Sequence, residues 1–309
     1  MVVRVSLAGS ALERVSYGSV PTESDYGQPV CWASEGNDLV GSTLAAGAPC
    51  LIARLGDTEL RAMSYFLRWR QGRRLPLSYR PGLRQAMHNA SGFFPADGDS
   101  LDRFSITMLD ATANTDVMGV WFNRSEARVI NAYCPRARLV HVEALLSMLY
   151  EKPWSAQLAQ KRVLVVHPFA RSIESQYHNR RNAIFANPSV LPEFSLSTLV
   201  PVQSFAGNAC EYSDWFEALS RTCERIGRED FDIALIGAGA YGLPLASFVK
   251  NMGRQAVHMG GATQLLFGIK GRRWEQYDEI PPFFNDAWVR PLPEEKPPGA
   301  HTVDGGAYW

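Results

Sequence analysis

The chain has 309 residues, 46% hydrophobic and 20% charged, with 31 basic residues balanced by 31 acidic ones. That length makes one or two domains, and 8 Trp, 11 Tyr and 15 Phe can fill a large core, which excludes a disordered polymer. The zero formal net charge argues against nucleic acid as a partner, and five scattered cysteines without a C-x-x-C pair argue against a disulfide scaffold or zinc ribbon.

Residues 1–48, rich in Gly, Ser and other small residues, read as an N-terminal extension, and their first dozen lack the continuous apolar stretch of a secretion signal. Residues 49–280 read as one α/β domain. Short apolar runs recur at 50–54, 117–122, 139–142, 163–167, 198–202, 233–236 and 256–258, with helical segments between them. This alternation predicts a Rossmann-like, mainly parallel sheet flanked by helices. In 213–228, Trp215, Phe216, Leu219, Cys223 and Ile226 fall at helical spacing on one face, and Ser213 is the expected cap. The longest uncharged run, 233–249, is split by Gly237, Gly239, Gly242 and Pro244, so it reads as strand, turn and helix instead of a membrane span. The expectation is a cytoplasmic protein with no transmembrane segment, compatible with peripheral work beside a membrane. Residues 281–309, with six prolines between 281 and 298, predict an extended C-terminal tail that wraps the domain or hangs free.

The run Cys50-Leu-Ile-Ala-Arg-Leu-Gly-Asp-Thr-Glu59 passes from an apolar strand through glycine to two acids and then into a helical pattern. Asp57 and Glu59 therefore sit at a strand's C-terminal edge, where open parallel sheets bind ligands. In an extended or turning backbone the two side chains point the same way, and their hard oxygens suit one divalent cation gripping a diphosphate. The alternative is a structural role, with Asp57 capping the helix and Glu59 complementing its dipole. Eight arginines from Arg54 to Arg84 against these two acids make a local net charge of 8 − 2 = +6. Arginine's planar fork suits phosphates, although outer members such as Arg68 and Arg73 also suit a solvated helix face.

Residues 231–244 read as strand, then Gly237-x-Gly239-x-x-Gly242, then helix, the context of a phosphate-cradling loop. A dinucleotide site also needs an acid about 20 residues further on. The next strand instead ends in His258-Met-Gly-Gly261, which counts against an NAD enzyme. Close helix-strand packing remains the other reading of the glycines. His167, with Arg171 nearby, and Glu143 end two further apolar runs, so either could take a proton from an acceptor hydroxyl. Thr263 and Gln264 offer uncharged hydrogen-bonding groups. No G-x-S-x-G elbow, H-E-x-x-H helix or lysine-bearing phosphate loop is present.

Together, Ala53-Arg-Leu-Gly-Asp-Thr-Glu59 and Asp232-Ile-Ala-Leu-Ile-Gly-Ala-Gly-Ala-Tyr-Gly242 resemble the GT-D type of bacterial glycosyltransferase and a related branch found near capsule and polysaccharide genes. The resemblance covers about residues 48–274. It implies that Asp57 and Glu59 bind Mn²⁺ or Mg²⁺ with the diphosphate of a UDP- or GDP-linked sugar. It also gives Arg54 a supporting role and implies a glycan as acceptor. Gly237, Gly239, Tyr241 and Gly242, with His258, would contact the nucleotide or the acceptor. Thr58 stands where the family commonly has glycine, and His258-Met-Gly-Gly261 stands where it has a D-x-G-H-like ending. The alternatives are an NAD(P)-dependent Rossmann oxidoreductase and a non-catalytic nucleotide- or sugar-binding protein of the same fold.

Overall fold

The computed structural model describes residues 20–70, 79–205, 208, 210–302 and 306–309. The strands in chain order are β1 (Val30–Cys31), β2 (Cys50–Arg54), β3 (Val117–Val120), β4 (Arg138–His141), β5 (Arg162–Val166), β6 (Ser195–Leu199), β7 (Ile233–Ile236) and β8 (Gln255–His258). They form one sheet in the order β1-β4-β3-β2-β8-β7-β5-β6, and every pairing is parallel. An all-parallel sheet is covered on both faces, so its inner strands read as unbroken apolar runs. β7 (Ile-Ala-Leu-Ile) is buried at every position, and alternate residues feed two cores. Ala234 and Ile236 enter one, and Ile233 and Leu235 the other. Full burial of an Ile or Leu contributes roughly 1.5–3 kcal/mol, so the strand interior fixes register as well as stability.

The principal helices are α1 (Ala33–Ala45), α2 (Asp57–Arg70), α3 (Pro81–Asn89), α4 (Gly98–Ala113), α5 (Glu126–Tyr133), α6 (Ala170–Ile184), α7 (Trp215–Gly227) and α8 (Gly242–Asn251). Residues of α2, α3, α4, α5, α7 and α8 pack into one core, and those of α1 and α6 into the other. α7 buries Trp215, Ala218, Thr222 and Ile226, while Phe216, Leu219 and Cys223 flank that stripe half-buried. Its cap is Asp214, one residue beyond the expected Ser213: Asp214 accepts from the Glu217 backbone N–H at 2.8 Å, and Ser213 instead donates its hydroxyl to Glu217 Oε2.

β1 and α1 arise within the stretch 1–48 and complete the sheet beyond β4. Of the two fates open to the proline-rich tail, it wraps. Ala287 and Trp288 are buried, and Glu295 accepts hydrogen bonds from the Arg171 and Ser172 backbone and from the Ser172 hydroxyl at the start of α6. All five cysteines are free thiols, with Cys50 and Cys134 buried. Among the described residues no helix is long and apolar enough to cross a membrane.

Candidate active site at the carboxyl edge of the sheet

Parallel strands deliver their following loops to one edge, so Trp32, Arg54, Phe122, His141, His167, Gly237 and His258 all emerge on the same side. β5 sends the chain outward to β6 while β7 sends it inward to β8, so the loops diverge between β5 and β7, where such sheets commonly open a crevice; here His167 and Gly237 close that space by packing together.

β2 ends at Arg54, and Gly56 accepts the backbone N–H of Leu60 at 2.8 Å, which starts α2. Asp57 and Glu59 thus lie in the first helical turn, not in extended backbone. Two helical residues on, side chains are ~200° apart around the axis, so the shared direction expected for an extended strand end is replaced by a helical one. Asp57 is 62% exposed and pairs with Arg61 at 3.9 Å. Glu59 folds back so that its carboxylate covers Gly56, where a Cβ would collide with it. Both acids complement the helix dipole.

The Arg54 guanidinium lies beside this turn. A Cβ on Gly56 would stand 3.2 Å from one terminal nitrogen, and a Cβ on Gly260 would strike the guanidinium outright. Gly260 has φ +59°, so glycine there serves both backbone conformation and close approach. The Arg54 Nε is buried without a hydrogen-bond partner. Buried guanidinium nitrogens are costly to leave unpaired, so an anion at this point would be stabilised. Of the other predicted arginines, Arg84 donates to the Ala96 carbonyl at 2.6 Å, and Arg73 and Arg74 lie outside the described residues.

The glycine-rich turn is mostly packing. A Cβ on Gly237 would stand 2.5 Å from His167 Cδ2 and 2.6 Å from the Gly260 carbonyl oxygen, and the space beside Gly242 is filled by the His258 ring. Gly239 alone of the three is exposed, with φ +53°. Tyr241 is 3% exposed, stacks on Trp215 with ring centroids 5.1 Å apart, and places its hydroxyl 2.9 Å from that of Ser204. Its side chain therefore serves the core. His258 is also 3% exposed, with Nδ1 3.2 Å from the Ile236 carbonyl oxygen. Burial, aided by the Arg54 charge, pushes its pKa down to about 3. His167 is equally enclosed: its Nδ1 accepts from the Phe169 backbone N–H at 3.0 Å, and burial lowers its pKa to about 3. Both rings are neutral near pH 7, and a base of such low pKa takes protons poorly there. Thr263 donates to the Gly260 carbonyl, and Gln264 to that of Ile269, so both brace the loop after β8.

Glu143 follows β4, two strands from β2, and its side chain is 42% exposed, with Oε2 3.4 Å from His141 Nδ1. It shares the sheet edge with Arg54 without joining the packed histidine cluster. The chain terminus also reaches this edge: Tyr308 covers Gly261 and accepts from Arg273 at 2.8 Å, while Trp309 meets Phe169 edge-on at 5.9 Å. Sequence reasoning missed this contribution, as well as Trp32, Phe122 and Glu126, because only the strand order brings them here. A separate hollow between α1 and the segment before β5, lined by Asn37, Gly41, Lys152 and Trp154 among others, carries none of the predicted site residues.

Among the described residues no three His, Cys, Asp or Glu side chains converge as a metal cage. Asp57 and Glu59 supply hard carboxylate oxygens only. Because they diverge around α2, they fit a Mg²⁺- or Mn²⁺-like ion that takes one carboxylate directly and draws most of its ligands from water and phosphate, and do not fit a cation held wholly by protein.

No family model matches the chain, and no curated protein matches it. Two solved structures are similar, each spanning 88% of this chain and 94% of its own. One, at 13% identity and a TM-score of 0.43, is described as the selenomethionine form of domain of unknown function 1792. The other, at 11% identity and a TM-score of 0.46, is described as that same highly conserved domain, with a distinct glycosyltransferase fold. Likeness at this level carries no residue roles over to this chain, whose own architecture is an eight-stranded parallel α/β sheet with Arg54 and the start of α2 at its carboxyl edge.

Proposed function

We propose that the chain is a metal-dependent glycosyltransferase that moves a sugar from a UDP- or GDP-linked donor to a glycan acceptor in polysaccharide biosynthesis. The observation that carries this reading is the end of β2, where the Arg54 guanidinium, with a buried unpartnered Nε, stands beside Glu59 and the first turn of α2. A diphosphate answers all of these features together. The guanidinium fork binds phosphate oxygens, the positive end of the α2 dipole favours an anion, and Glu59 beside them suits a cation shared with it, with Asp57 reaching that cation through water. The sequence resemblance to GT-D enzymes points the same way.

Mn²⁺ or Mg²⁺ held by Asp57 and Glu59 would, when bound, neutralise charge on the leaving nucleotide. Arg54 orients the diphosphate and stabilises its growing charge. The acceptor oxygen bonds to the anomeric carbon as the bond from that carbon to the diphosphate breaks, the nucleoside diphosphate departs, and the acceptor proton passes to a base. Glu143 is the better placed of the two predicted bases, since it is exposed at the edge, whereas His167 is buried and neutral.

Turnover of a panel of UDP- and GDP-sugars with Mn²⁺ tests the reading. Wild type is expected to release nucleoside diphosphate, and Asp57→Ala to lose about 100-fold in rate. Equal rates would remove the metal assignment. Absence of turnover with every donor would favour a binding protein, and NAD(H) binding without UDP or GDP binding would favour an oxidoreductase.

A further inference from the structure

The opposite end of the same edge carries an arrangement that donor binding does not use. Trp32 directly follows β1 and is 40% exposed. Its indole is stacked on His141, at 4.3 Å and 14°, and on Phe122, at 5.5 Å and 19°. Phe122 and His141 are 6.1 Å apart. Rings stacked on opposite faces of an indole would be separated by two layers of ~3.5 Å each, about 7 Å at the least. Both rings therefore lie under one face of Trp32, and the other face is open. The indole edge is also fixed, because Nε1 donates to Glu23 Oε1 at 2.7 Å.

The support beneath this plane is strained and braced by a buried acid. Of the four described non-glycine residues with positive φ, three flank it: Ala33 (+46°), Phe122 (+59°) and Ser125 (+68°). A bulky residue such as Phe at φ +59° is an outlier, and such strain concentrates at ligand sites. Glu126 holds the loop in place. Wholly buried, it accepts from the Trp121 and Asn123 backbone N–H groups at 2.9 and 3.2 Å and from the Tyr26 hydroxyl at 2.7 Å, while its Oε1 has no partner.

We infer that the open face of Trp32 is the floor of a subsite that stacks a neutral pyranose ring, the acceptor's own sugar. An indole plane receives the C–H face of a pyranose, and the carboxylate on its edge, Glu23, accepts from sugar hydroxyls, with Glu143 further off beside His141. The same carboxylates repel phosphate, which separates this place from the guanidinium at β2. The spacing suits transfer: Trp32 follows β1 and Arg54 ends β2, three strand spacings or ~14 Å apart, room for a donor sugar between diphosphate and acceptor. Identifying the sugar as acceptor rests on the glycosyltransferase reading, whereas sugar stacking itself does not.

Saturation-transfer NMR on the full chain, with methyl glucoside, galactoside, mannoside and N-acetylglucosaminide as probes, tests the subsite apart from the donor site. Wild type should bind at least one of them. Trp32→Ala should weaken it about tenfold or more and Trp32→Phe about threefold, with far-ultraviolet dichroism and UDP or GDP affinity unchanged. Sugar binding that ignores Trp32→Ala, or no sugar binding in a folded wild type, overturns the inference. So does loss on Trp32→Ala of binding to free uridine or guanosine in place of a methyl glycoside, which would make the plane a base platform. Sugar binding that depends on Trp32 in a protein that binds neither UDP nor GDP keeps the subsite and removes the transferase.

Discussion

The two flanks of the sheet's carboxyl edge use the same position, the residues just past a strand, in opposite ways. On the β8-β7-β5 side, glycines and buried imidazoles pack so closely that a single Cβ on Gly237 or Gly242 has no room. On the β1-β4-β3 side, large side chains stand on strained backbone and keep an aromatic face and carboxylates open. Arg54 and the start of α2 lie between them. The difference shows how one topology separates a rigid wall from a recognition surface: tight loops need glycine, whereas presented side chains need braced loops, here through Glu126.

The largest effect that would sharpen this comparison is chemical. Glu143→Gln on the open flank should lower turnover by about 10²–10⁴-fold, the usual worth of a general base, with nucleotide affinity unchanged. A rate within twofold of wild type would show that the open flank supplies no base, as expected of a retaining enzyme. Next comes packing on the closed flank. Gly242→Ala drives a methyl into the His258 ring, and a urea titration should show a loss of about 3 kcal/mol at unchanged m-value. Unchanged stability would mean that the wall yields and is not close-packed.

The flanks also respond oppositely to pH. His167 and His258 have pKa values pushed down to about 3 from an ordinary 6.5, so their contribution is complete above ~6.5 and is lost as pH falls from there. Burial raises Glu126 from an ordinary 4.5 to about 7, so its contribution is present at low pH and is lost as pH rises from 4.5 through 7. Glu126→Gln should therefore gain stability relative to wild type as pH increases from about 5 to 8, read as a growing difference in Tm. A difference that stays constant with pH would contradict a carboxyl held protonated by burial. The smallest effect is expected at Trp32, where Trp32→Ala should change unfolding free energy by about 1–2 kcal/mol, less than Gly242→Ala. A larger loss would make Trp32 part of the core.

What was legible in the sequence follows from which interactions are local. The strands at 50–54 and 233–236 were readable to the residue because fully buried parallel strands are continuous apolar runs. β1 was not, since two residues, Val30 and Cys31, hold no period. The order of Gly56, Asp57 and Glu59 marked the end of β2, and of the two readings of the acids, a shared direction on extended or turning backbone and a place in the helix's first turn, the helix start at Asp57 gives the second. In the glycine-rich turn the spacing was visible but its purpose was not. Gly237 and Gly242 make room for His167 and His258, which arrive from neighbouring strands. The aromatic plane was illegible for the same reason: Trp32, Phe122 and His141 meet only because β1, β4 and β3 are adjacent in the sheet.

The most direct test of the donor assignment is a calorimetric titration of the full chain with UDP and with GDP, in the presence and absence of Mn²⁺. Saturable binding of one nucleotide that strengthens at least tenfold with Mn²⁺, and loses that gain in Glu59→Gln and most of its affinity in Arg54→Ala, is the predicted result. Binding that is indifferent to Mn²⁺ and to both substitutions would contradict the placement of a diphosphate and its cation at the end of β2.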